Sequence, residues 1–211
     1  MFSLFRTILL LLTFTCNLAI AGQEVGNGGD AVKCIASGAN SFEGYYSLDY
    51  LAKYDAQWPI ANYDSLDAIL DRIESGLSSK IPHLSRQFKE FRQDLFNETN
   101  LARKHHWERV PFGLVDLQDE QMVVQLPENC RQGEKTSIVQ AVIRQSPSFS
   151  GLPEYKLRFS YVADVVNELK NQNAVQLSFL IIHEWLWEFS NNVERNRTIN
   201  YWLHSARLEN F

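Results

Sequence analysis

The stretch LIIHEWLWE, residues 180–188, lies in a segment that is apolar on nearly every face of a helix. A helix with so little polar surface is buried. We therefore predict a central buried helix that carries His183 and Glu184 into the core, where polar groups need partners. One side of this helix is formed by Val175, Phe179, Ile182, Leu186 and Phe189, and much of the rest by Leu177, Leu180 and Ile181.

His183 and Glu184 also begin the zinc-binding pattern H-E-x-x-H, in which two imidazoles one turn apart flank a glutamate base. Trp187 occupies the position of the second imidazole. Adjacent helical residues point about 100° apart, so His183 and Glu184 do not form a chelating pair. A catalytic zinc needs three protein ligands and an open position. His204 is the most evident second imidazole, and the sequence brings none of the others close: His83, His105 and His106.

Two interpretations of His183 therefore stay open. In one, His183 and His204 bind zinc and Glu184 is the catalytic base. In the other, which the residues favour, His183 is a structural histidine that is hydrogen-bonded within the core, and no cofactor is expected.

The last predicted helix carries a second polar set, because Arg197, Asn200 and His204 share one of its faces. A polar face opposite an apolar one is usually solvated, and we expect that here. We also expect the short link at residues 190–192 to fold this helix back beside the first. Arg197 or His204 would then be the nearest polar partner of His183 and Glu184, and Arg197 could pair with Glu184 or Glu188.

The first residues predict export. Arg6 precedes an apolar run at residues 7–14, and Ala19-Ile20-Ala21 supplies small residues before Gly22, which is the layout of a cleaved signal peptide. We expect a signal peptide at residues 1–21, a single domain at 22–211, no transmembrane segment in that domain, and a secreted or periplasmic location. Removing the leader, which carries one basic and no acidic residue, shifts the formal charge from −5 to −6. An acidic chain without a basic run argues against nucleic acid as a partner.

Two cysteines remain after the leader is removed, Cys34 and Cys130. Oxidation is expected outside the cytoplasm, so we predict a Cys34–Cys130 disulfide, the alternative being two buried thiols.

Periodicity along the chain predicts one α+β domain. We expect N-terminal helices at residues 47–56, from 64 or 65 to 77, and from Pro82 to 95. A mostly antiparallel sheet should occupy the middle of the chain, with strands at 31–36 and 135–144, a hairpin over 107–126, and a further strand at 155–160. A short helix at 163–170, the buried helix at 175–189 and an amphipathic helix at 193–208 should complete the domain.

Three motifs together resemble a family of uncharacterised secreted proteins from predatory Gram-negative bacteria: GNGGDAVKC (26–34), YYSLDYLAKYD (45–55) and QLSFLIIHEWLWEF (176–189). The His-Glu helix looks like that of the zincin metallopeptidases, which implies His183 as first zinc ligand and Glu184 as general base, with Trp187 in place of the second ligand. The expectation is an exported, zincin-like protein without peptidase activity that contacts another protein or an envelope component. The alternative is an atypical metal-dependent hydrolase that uses His183 and Glu184.

Overall fold

The computed structural model describes residues 29–35, 42–51, 59–60, 63, 65–99, 103–111, 137–145, 157–172 and 174–209. Among these residues the strands are β1 (Asp30–Ile35), β2 (Phe42–Ser47), β3 (His105–Val110), β4 (Ser137–Gln140), β5 (Val142–Gln145) and β6 (Leu157–Val162). The helices are α1 (Leu48–Leu51), α2 (Leu66–Lys80), α3 (Pro82–Asp94), α4 (Ala163–Gln172), α5 (Ala174–Leu186) and α6 (Val193–His204), followed by a 3-10 turn at Ala206–Leu208. The predicted α+β class is confirmed.

The strands form two three-stranded sheets, ordered β2-β1-β4 and β3-β6-β5. All described pairings are antiparallel except that of β3 with β6, which run parallel. In the described sheet β3 pairs with β6. The second strand of the predicted hairpin lies outside the described residues, so the hairpin stays a prediction.

The expected single strand at 135–144 is wrong, since the chain divides it at Ala141 between the two sheets. The N–H groups of Ala141 and Val142 both donate to the carbonyl oxygen of Gly29, at 3.0 and 3.2 Å. Two consecutive amides that share one acceptor cannot continue the alternating ladder of a regular strand. Gly29 therefore marks the junction between the sheets.

The first long helices begin where local chemistry places them. The Ser65 side chain accepts the N–H of Ala68, which caps α2, and Pro82 occupies the first turn of α3. The expected helix at 47–56 appears as α1, and residues 52–58 lie outside the described residues. The core faces of α2 and α3 are formed by Ile69, Leu70, Ile73, Leu77, Phe88 and Phe91.

Helix α5 is the centre of the core, as its sequence predicts. Every residue from Val175 to Leu186 is buried, and the helix packs against α1, α2, α4, α6 and β2. His183 and Glu184 are 5% and 0% exposed. Within the described segments, no helix combines the length and the apolar character needed to cross a membrane.

Candidate functional site

Both ring nitrogens of His183 are engaged by protein groups. Nδ1 lies 2.8 Å from Oδ2 of Asp49 on α1, and Nε2 accepts the indole N–H of Trp187 at 2.8 Å. Because Nε2 accepts, the proton of the neutral ring sits on Nδ1 and is donated to Asp49. The direct partner of His183 is therefore Asp49, and the expectation of Arg197 or His204 in that place is wrong.

Asp49 joins the three helices that meet at this point. Its Oδ1 accepts the Nε–H of Arg197 at 3.1 Å, and its Oδ2 accepts the side-chain amide of Asn200 at 2.9 Å. Burial alone would raise the pKa of Asp49, but His183, Arg197 and Asn200 outweigh burial and lower this pKa to about 2. An ionised carboxylate thus links α1, α5 and α6.

The polar face of α6 is not solvated, so that expectation is wrong. Asn200 and His204 are 0% and 2% exposed, because Asp49 of α1 covers the face beside Arg197 and Asn200 and α5 covers it beside His204. The predicted return of α6 onto α5 is confirmed. Arg197 pairs with Asp49, not with Glu184 or Glu188.

Glu184 points away from His183 toward the junction of the two sheets. Its Oε1 accepts the N–H of Gly29, and among the described residues Oε2 has no hydrogen-bond partner. Burial raises the pKa of Glu184 to about 7, although His183, the Gly29 N–H and Arg144 oppose this rise. Arg144 itself is 8% exposed, and its Nε and Nη1 have no hydrogen-bond partner within the described segments.

His204 belongs to a separate contact. Its Nδ1–H donates to the carbonyl oxygen of Asn200 at 2.8 Å, and its Nε2 lies 2.7 Å from the hydroxyl of Ser178. The ring stacks on Phe179 with centroids 3.9 Å apart. Burial lowers the pKa of His204 to about 4, so the ring is neutral near pH 7.

These residues do not fit a zinc ion. The lone pair that His183 would offer from Nε2 accepts the Trp187 indole, and the ring nitrogens of His204 face Ser178 and Asn200. Asn200 links the two histidines only indirectly, since its side chain donates to Asp49, the partner of His183, and its carbonyl oxygen accepts from His204. Within the described part of the chain, no group of three or more His, Cys, Asp or Glu side chains is arranged to hold a metal ion.

The remaining candidates are dispersed. His83 is exposed on α3 and His106 is half-buried on β3, while His105 lies between Asp94 and Glu188. Cys34 is fully buried in β1. Cys130 lies outside the described residues, so the Cys34–Cys130 pairing stays a prediction, which non-reducing peptide mass spectrometry checks.

Asp49, the residue on which the site depends, is not predicted from the sequence. Its one local indication was a carboxylate flanked by Leu48, Tyr50 and Leu51, where a core-facing turn would bury it. Nothing in that stretch predicts a contact with His183, which lies 134 residues away in the sequence. The contacts of Glu188 with His105 and of Gly29 with Glu184 are likewise not predicted from the sequence.

Comparison with protein-family models, with curated proteins and with solved structures finds no match for this chain. The fold and the site alone therefore define the class: an α+β protein whose central helix carries buried, hydrogen-bonded histidine and glutamate side chains.

Proposed function

We propose that this chain is an exported, non-catalytic protein that acts by contact with another protein or an envelope component, and that its zincin-like His-Glu helix is structural. The observation that carries the proposal is the pair of bonds at His183. Asp49 takes the Nδ1 proton and Trp187 donates to Nε2, so neither nitrogen presents a lone pair for a metal.

Burial of Glu184 supports the same conclusion. A carboxyl group with a pKa near 7 has the property of a catalytic acid or base. However, Glu184 is 0% exposed and is bonded to the backbone of Gly29, so a substrate has no surface from which to reach it. Burial is the largest cause of the raised pKa, and the charge of Asp49 adds to it.

Export is supported by the leader-like residues 1–21 and by the acidic charge that remains without them. The contact role is supported by two large apolar side chains that stand out into solvent. Phe189, in the turn after α5, is 45% exposed, and Ile138, on β4, is 43% exposed.

The metal question is tested on protein purified from its natural compartment. Elemental analysis should find zinc far below one ion per chain, and a chelator should leave the melting temperature unchanged. The matched variants are His183→Gln and His83→Gln, since His83 is exposed on α3. Stoichiometric zinc, with a chelator-sensitive melt that is lost in His183→Gln and kept in His83→Gln, would return the protein to the metal-dependent hydrolases.

The contact role is tested separately with a photo-crosslinking side chain placed at Phe189 or at Ile138. The control position is Glu90, which is exposed on the polar side of α3. A discrete adduct from the apolar positions and none from Glu90 supports the proposal. Equal labelling from all three positions contradicts a contact surface at the apolar side chains.

A further inference from the structure

A buried histidine outside the site described above lies between two carboxylates. His105 begins β3 and is 2% exposed. Its Nδ1 lies 2.9 Å from Oδ2 of Asp94 at the end of α3, and its Nε2 lies 2.8 Å from Oε1 of Glu188 in the turn after α5. A neutral imidazole has one N–H and one lone pair, so a neutral His105 would turn a lone pair toward one of these oxygens.

Further cations keep both carboxylates available as acceptors. Arg103 lies 2.9 Å from the other oxygen of Asp94, and Lys104 binds the other oxygen of Glu188. Burial would raise the pKa of Glu188, but His105 and Lys104 lower it below its usual value. Two ionised carboxylates therefore face the two ring nitrogens.

We propose that His105 is a doubly protonated imidazolium in the folded protein and that it forms, with Asp94 and Glu188, a proton-dependent latch. The latch joins the end of α3, the start of β3 and the turn after α5. Both ring N–H groups donate to carboxylates, which makes these hydrogen bonds of the strong, charge-assisted kind.

The two ends of the latch respond differently when the ring loses a proton. Asp94 Oδ2 also accepts the backbone N–H of His105 at 3.3 Å, so Asp94 keeps the ring proton that remains. Glu188 then faces the lone pair of Nε2, which is repulsive. Deprotonation therefore releases residues 187–189, the turn that contains Trp187, the donor to His183, and the exposed Phe189.

The charged groups around His105 come from several elements of the fold. Asp94 comes from α3, Arg103 and Lys104 immediately precede β3, and Glu188 follows α5. Arg144 of β5 also lies close enough to Glu188 to interact with it electrostatically. Among these groups, the ring of His105 is the one that faces a carboxylate from each of its two nitrogens.

The protonation state is measured directly by nitrogen NMR of the histidine rings in the wild-type protein. At about pH 7.5, His105 should carry protons on both ring nitrogens. Exposed His83, near the start of α3, serves as the internal control. A single ring proton on His105 at this pH would overturn the proposal.

The release of the turn is measured by amide hydrogen exchange at Glu188 and Phe189, whose N–H groups bond to Trp185 and Leu186. When His105 loses a proton, their protection should fall about tenfold beyond the intrinsic pH effect, the scale of one lost charged hydrogen bond. Glu188→Gln should remove this pH response, because a glutamine amide can donate to the lone pair of a neutral ring. Glu98→Gln, away from the latch, should keep it.

The latch is contradicted if amide exchange at Glu188 and Phe189 of the wild type changes with pH only as intrinsic exchange does. The NMR and wild-type exchange measurements require no variant, so the proposal stays testable if Glu188→Gln fails to fold.

Discussion

The indole nitrogen of Trp187 lies 2.8 Å from Nε2 of His183, one helical turn along the chain. Trp187 occupies the position at which a zinc-binding helix has its second imidazole, and its indole N–H donates a hydrogen bond to the first imidazole. The side chain that replaces the ligand also occupies the metal-binding lone pair of the other ligand.

Trp187→Phe should lower the free energy of unfolding by about 1–3 kcal/mol beyond its loss of packing, because a buried acceptor on His183 loses its donor. The matched control is Trp185→Phe. Trp185 is 1% exposed, and its indole N–H has no partner among the described residues, so its replacement changes packing alone. Urea denaturation measures both variants, and equal losses would show that the indole bond contributes nothing.

Trp187→His should create a zinc response that the wild type lacks, because it places two imidazoles at i and i+4 with Nε2 of His183 free of the indole. Micromolar zinc should raise the melting temperature of this variant. Trp187→Phe should show no such rise, and neither should the double variant Trp187→His/His183→Gln. A zinc response in Trp187→Phe would mean that the metal binds elsewhere.

Gly29→Ala should destabilise the protein by about 1–3 kcal/mol through overpacking. A Cβ at this position would lie 2.1 Å from Cδ1 of Leu180 and 3.0 Å from Oε1 of Glu184. Leu180→Ala removes the nearer obstacle, so a double-mutant cycle should give a favourable coupling between the two substitutions. Strict additivity in denaturant unfolding would place the strain elsewhere.

Glu184→Gln should flatten the dependence of stability on pH between about 4.5 and 7. The pKa of Glu184 is raised in the folded state, to about 7 from 4.5, so folding favours the protonated form. That contribution is present below the unfolded pKa and is lost as the pH rises through the folded pKa, a change of about 3 kcal/mol. Between about pH 4 and about pH 8 the wild type should therefore lose more stability than the variant does. Parallel pH profiles for the two proteins would contradict this.

Asp49→Asn should cost about 3–5 kcal/mol near pH 7, because Arg197 is left without its counter-charge. The pKa of Asp49 is lowered to about 2 from 3.8, so its stabilisation is present above the unfolded pKa and is lost as the pH falls toward the folded one. The variant should therefore lose less stability than wild type on acidification from about pH 4 to 2.

Urea denaturation across this pH range measures the difference between the two proteins. Asp71→Asn, whose side chain is 68% exposed and pairs with Arg92 at the surface, is the control for the loss of a carboxylate outside the core. An Asp49→Asn profile that superimposes on that of wild type would mean that Asp49 is not the group that titrates.

Local chemistry was enough to predict several elements. The all-round apolar sequence of α5 predicts its burial, and Ser65 and Pro82 predict where α2 and α3 begin. These predictions succeed because the decisive groups are within one or two turns of each other along the chain.

The site depended on information that local patterns do not hold. The polar face of α6 looks solvated until Asp49 is placed against it from α1. Likewise, the alternation in residues 135–144 continues through Ala141, and only the distant carbonyl of Gly29 divides it. The periodicity of apolar residues predicts which face of an element is buried, but it does not predict which polar group of another element contacts that face.

The bond from Gly29 to Glu184 spans 155 residues and that from His183 to Asp49 spans 134. Contacts of such high sequence separation form late in folding, since their loop-closure entropy must be overcome first. A nascent chain that has reached β6 still lacks α5 and α6, so Asp49 lacks His183, Arg197 and Asn200, and the N–H of Gly29 lacks Glu184. The core that α5 organises therefore cannot close until nearly the whole chain has been synthesised.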